Sequence, residues 1–158
     1  MNLGELGNFY KWSDLKLITL LKPISDDVFS KIPEQTNKSL RKLVEHMVVY
    51  YEILNKRSKF GEISERVKKL SKDELISLWQ ESVSLLPETL AKRKFDDIVD
   101  FRIDKDTSIK ISNFQEVFAY TDHATYHRGQ IITTYKFLTG KEAIGTDYYG
   151  FMVSQLKK

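Results

Sequence analysis

No cysteine occurs anywhere in this chain. Disulfides, thiolate metal sites and a cysteine nucleophile are therefore excluded, and a reducing compartment is permitted. Proline occurs three times and glycine seven times. They are scattered, so no glycine- or proline-rich linker, repeat or low-complexity stretch divides the chain, and residues 1–158 read as one domain. A charge excess is also missing. The 25 basic residues are interleaved with 22 acidic ones for a net charge of +3, which leaves no broad basic footprint for nucleic acid. Lysine-rich stretches at Arg66–Lys69 and Lys157–Lys158 read as solvated surface. No apolar run is long enough to span a bilayer. Met1–Glu5 lacks the basic start and apolar stretch of a secretory signal. The expectation is a cytoplasmic protein with no membrane or nucleic-acid partner.

What is present is helical periodicity. Leu6, Phe9, Tyr10, Leu17, Leu20 and Leu21 follow a helical stripe that ends at Pro23, with Trp12 slightly off it. A short turn of helix is expected between Ile24 and Ile32, closed by Pro33. Ser39 is a good N-cap for a second long helix through Leu43, His46, Met47, Tyr50, Ile53 and Leu54, ending near Phe60-Gly61. Ser71-Lys72-Asp73-Glu74 is a capping box. It opens a third helix through Leu75, Leu78, Trp79, Val83, Leu86 and Leu90, with a kink or break expected at Pro87. Residues 94–111 change to β-branched alternation: Ile98–Ile103 and Ser108–Ile111, joined by Asp104–Thr107, read as a small hairpin across the end of the bundle. A further capping box at Ser112-Asn113-Phe114-Gln115 starts the longest helix, which runs to Leu138 with Gly140 as its stop. The aromatic tail Ile144–Met152 is expected to fold back. The predicted class is all-α: a four-helix bundle with a small β-hairpin between the third and fourth long helices.

The chemistry gathers on histidine, of which there are three. His123 and His127 lie four residues apart in the last long helix and share one face. His46 lies on the apolar face of the second. Two histidines on one helix face are as readily surface or packed core residues as ligands. A third on an apolar stripe, where a buried imidazole needs partners, favours a metal site with one open position. Gln130, Thr134 and Tyr50 share the ligand faces. Glu45 and Asp122 adjoin ligands in sequence but point about 100° away, as salt-bridge residues do. Arg128 is expected to ion-pair with another helix or a partner subunit. Gly129, costly inside a helix, suggests close approach of a neighbouring helix. There is no phosphate-binding glycine loop, no Gly-x-Ser-x-Gly and no His-Glu-x-x-His, since Ala124-Thr125-Tyr126 separates the paired histidines. Protease-type hydrolysis with a built-in glutamate base is thus unexpected, and no catalytic residue is assigned.

The stretch His123-Ala124-Thr125-Tyr126-His127-Arg128-Gly129-Gln130-Ile131 closely resembles the hallmark of the DinB/YfiT-like superfamily. His46, after Ser39-Leu40 and before Tyr50-Tyr51-Glu52, matches that family's third histidine. Tyr10-Lys11-Trp12-Ser13-Asp14 resembles its N-terminal aromatic segment, with Ser13-Asp14 in place of the more usual Ala-Asn. The resemblance covers nearly the whole chain. It implies a bundle of unusual connectivity, a divalent metal (nickel or zinc) on His46, His123 and His127, and frequent homodimers. It also implies a candidate activity, transfer of a low-molecular-weight thiol of the bacillithiol type to a small-molecule substrate. Two alternatives stand beside it: a non-catalytic metal-binding stress protein whose site is closed by Glu45, Asp122 or a tail residue, and a metal-free histidine cluster in a helical dimer.

Overall fold

The computed structural model describes residues 2–56, 59–102 and 106–156. The inner turn of the expected hairpin (Ile103, Asp104, Lys105) and the terminal lysines Lys157 and Lys158 lie outside the described residues.

The first long helix, α1 (Leu3–Leu21), starts where Asn2 accepts from the Glu5 amide while the Glu5 carboxylate accepts from the Asn2 amide. This reciprocal cap satisfies donors the helix start leaves over. A short α2 (Asp26–Ser30), capped by Ser25, buries Phe29. Ser39 caps the second long helix, α3 (Leu40–Leu54), as its residue type predicts.

That helix ends with the last residue of its apolar stripe, Leu54, short of the boundary expected near Phe60-Gly61. Lys56 takes a left-handed conformation at φ 57°, and Arg93 Nη2 donates to the Leu54 carbonyl. Phe60-Gly61 then begins a separate helix, α4 (Phe60–Val67). Its signal was Ile63 and Val67, both buried and one turn apart. Arg66, Lys68 and Lys69 are exposed, as expected of solvated charges.

The third long helix, α5 (Lys72–Ala91), has the expected Ser71–Glu74 capping box. The break expected at Pro87 does not occur, for the helix continues a full turn beyond it. An interior proline costs about 3 kcal/mol. Leu86 and Leu90 are both 0% exposed, and each buried leucine returns about 1.5–3 kcal/mol, enough to hold the last turn. Gly7 of α1 seats against this point: a Cβ there would stand 2.7 Å from Pro87 Cα and 2.8 Å from Pro87 N. The glycine lets α1 lie directly on the proline-bearing turn, and α1–α5 is the most extensive helix contact in the fold.

Strands β1 (Ile98–Arg102) and β2 (Ser108–Ser112) pair antiparallel with Phe101 opposite Ile109. The hairpin packs on the fourth long helix, α6 (Asn113–Thr139), through Phe101 against Tyr120 at 5.9 Å between ring centroids. This helix opens with the Ser112–Gln115 capping box and stops at Gly140 in the left-handed region, φ 65°. The tail returns as expected. Its helix α7 (Tyr148–Gln155) lays Tyr148 and Phe151 against Phe9 and Trp12 of α1. Ser13 donates to the Thr146 carbonyl at 2.9 Å. Trp12, off the main stripe, is off it because it holds this tail. The architecture is a bundle of α1, α3, α5 and α6 with a two-stranded hairpin inserted between the last two.

Candidate metal centre

α3 and α6 pack together, and their contact brings the three histidines to one point. His46 Nε2 stands 3.1 Å from His123 Nε2, and His127 Nε2 stands 3.0 Å from the same atom. His123 and His127 are half-exposed and buried respectively, and His46 is half-buried. The cluster therefore sits at the edge of the core with one side toward solvent. Tyr50, one turn after His46, lies edge-on to both His46 and His123, at 4.6 and 4.8 Å between centroids. Its hydroxyl is held above the usual phenol range by burial.

The orientation of His127 is set by its neighbour on the same face. Its Nδ1 donates to Gln130 Oε1 at 2.7 Å, which leaves the lone pair on Nε2, pointing into the cluster. Gln130 in turn donates through Nε2 to the Tyr126 hydroxyl at 2.8 Å.

All three imidazoles resist protonation. Burial lowers His46 to about 4, helped by His127, His123 and the charge of Lys38. Burial likewise lowers His123 and His127, with the Gln130 hydrogen bond partly opposing it at His127. At neutral pH the rings are uncharged donors.

This arrangement fits a divalent ion. Nitrogens about 2.0–2.1 Å from a common ion stand roughly 2.9–3.4 Å apart at ordinary bond angles, and the observed separations fall in that range. Among the described residues no carboxylate joins the three histidines. Glu45 is turned away and held by Arg41 and Lys42 at 2.9 and 2.8 Å, as its position on the helix wheel requires. Asp122 is exposed. An ion here would have three neutral ligands and an open side, the pattern of reactive rather than structural sites.

Arg128 faces the other way from His127 and locks α6 to α1. Its Nε donates to Asp14 Oδ1 at 2.5 Å in a pair that is 1% and 0% exposed. The second Asp14 oxygen accepts from Trp79 Nε1 at 3.1 Å, and Arg128 Nη2 reaches the Tyr51 hydroxyl at 3.3 Å. Burial is the strongest single influence and works against the guanidinium charge, but Asp14 together with Tyr51 and Tyr10 outweighs it and keeps the group firmly cationic. Of the two partners expected for Arg128, the structure places another helix.

Gly129 departs from expectation. Nothing lies within 4 Å of a Cβ built on it, so no helix approaches there. Instead it lines an open groove of about 400 Å³ whose far wall is the segment leading into α3. Gln35, Asn37, Lys38 and Thr133 of that groove carried no periodic or motif signal, since only the chain's path brings 35–38 beside α6. Thr134, expected on the ligand face, lines the groove, and Gln130 belongs to both sites.

The sequence profile of the DinB family matches residues 1–158. The chain belongs to the DinB family. The crystal structure of a DinB-like protein, YjoA from Bacillus subtilis, superimposes with a TM-score of 0.64 at 15% identity, covering 90% of this chain and 98% of that one. The match shows a shared fold. No curated protein matches the sequence. Within this DinB member, the His-Arg-Gly-Gln run has four separate jobs: a candidate ligand, a lock to α1, an opening in the helix surface, and the residue that orients His127. Among the described residues no helix is long and apolar enough to cross a membrane.

Proposed function

We propose that this DinB family protein is a metal-dependent enzyme that transfers a low-molecular-weight thiol to an electrophilic small molecule, with nickel or zinc held by His46, His123 and His127. The observation that carries the reading is the open triangle of neutral ring nitrogens, without a carboxylate, beside a groove. A divalent ion held there supplies Lewis acidity and lowers the pKa of a thiol brought to it. The chain contributes the rest. Its lack of cysteine means the sulfur nucleophile comes from a co-substrate. Gln130 keeps the His127 tautomer fixed, Tyr50 packs the exposed flank of two rings, and the groove offers a seat for an organic ligand.

A non-catalytic metal-binding role would call for a fourth protein ligand, and Glu45 and Asp122 do not supply one. In the same proposal the protein pairs with a second copy, for which the exposed Phe118 and Phe137 of α6 are suitable contacts; sedimentation would measure it.

The first test is metal content of untagged protein beside His46→Ala and His123→Ala variants. Near-stoichiometric metal in the wild type, lost from both variants, is expected. Thiol conjugation to test electrophiles should then depend on reloading. Folded wild type that takes up no metal, even when metal is supplied, would sink the proposal.

A further inference from the structure

We propose that the groove beside the histidine triangle seats the carboxylate-bearing end of an acidic low-molecular-weight thiol, with Lys38 as its cation and Gly129 as the opening that admits it. The inference rests on the thiol-transfer reading above and names the chemical class of its co-substrate.

The groove and the triangle share a wall. Gln130 lines the groove and holds His127 at 2.7 Å. Leu43, one turn before His46 on α3, lines the opposite side. A small molecule lying in the groove thus has one end against Gln130, the residue that orients His127.

The polarity of the groove selects the other end. Among the described residues Lys38 has no acidic partner, whereas the next two cations along the chain, Arg41 and Lys42, are both committed to Glu45. No aspartate or glutamate lines the groove. Asn37 and Thr133 add an amide and a hydroxyl to the walls, and Thr134, only 2% exposed, lines the groove as well. A cation with hydrogen-bonding neighbours and no competing carboxylate recognises a carboxylate.

Gly129 supplies the room. It costs the helix about 1 kcal/mol relative to alanine, no neighbouring atom requires it to be small, and a side chain there would enter the groove.

The test uses the full chain loaded with cobalt, whose sulfur-to-metal charge-transfer band reports thiol at the histidines. Mercaptosuccinate, mercaptoethanol and cysteamine are titrated into wild type, Lys38→Ala, Lys38→Arg and Gly129→Leu. The expected result is that mercaptosuccinate binds roughly tenfold or more tightly than the two thiols without a carboxylate. Lys38→Ala should erase that preference and Lys38→Arg keep it. Gly129→Leu should weaken mercaptosuccinate while retaining its cobalt and its melting temperature.

Thiols that reach cobalt with no preference for the acid and no dependence on Lys38 would overturn the groove assignment and leave thiol transfer standing. A parallel titration with succinate separates the two readings. If no thiol gives the band, yet succinate raises the melting temperature only when Lys38 and Gly129 are intact, the thiol reading fails and the anion seat holds. If succinate has no such effect either, both fail.

Discussion

Arg128 and Asp14 are the pair on which the seating of α6 depends, and removing them separately or together should give opposite results. The two side chains are 1% and 0% exposed, so neither charge has water to fall back on. Arg128→Met leaves the Asp14 carboxylate buried with no cation, only the neutral Trp79 and Tyr51 side chains beside it. Asp14→Leu leaves a buried guanidinium facing Tyr51 and Thr125. Stranding one buried charge costs about 3–5 kcal/mol, whereas replacing both partners with apolar groups of similar size is often near neutral. For a chain of this length each kcal/mol moves the melting temperature by about 2–4 °C. Each single variant should therefore melt roughly 6–20 °C lower, and the double variant should lie well above both. Urea denaturation of all four proteins closes the cycle, with metal content measured on each folded species. A double variant as unstable as the two singles summed would refute the reasoning: the side chains would then matter separately, not as a pair.

Further expectations follow from the same geometry. Chelation of metal-loaded protein should lower its melting temperature, since an ion at about 100 times its dissociation constant adds about 2.7 kcal/mol; calorimetry with and without chelator checks this. In the metal-free protein His46 is lowered to about 4 from 6.5, so the unfolded chain binds more protons between those values. Stability should therefore rise with pH from about 4 to about 6.5 and then level off, and urea midpoints across that window in wild type and His46→Phe would show whether the slope belongs to this residue. The two helical glycines should respond with opposite signs. Gly129→Ala, meeting nothing within 4 Å, should stabilise by about 0.5–1 kcal/mol. Gly7→Ala, driven against Pro87 at 2.7 Å, should destabilise by about 1–3 kcal/mol.

Much of this molecule was set by the chain's local pattern alone. The caps at Ser39, Ser71 and Ser112 and the stop at Gly140 place the starts of three long helices and the end of the fourth, because capping is decided within one turn. The four-residue spacing of His123 and His127, and the apolar position of His46, follow from helical periodicity. The hairpin is legible in its β-branched alternation.

Tertiary packing decided the rest. The continuity of α5 through Pro87 depends on leucines buried beyond it and on Gly7 of another helix. The end of α3 depends on Arg93 reaching the Leu54 carbonyl from 39 residues away. Gly129 looked like a contact and proved to be an opening, since intrinsic propensity records its cost but not its surroundings. The segment 35–38 has no periodic signal, and only its path beside α6 makes it a wall. The identity of the candidate ligands lay in one dimension; what stands next to them required three.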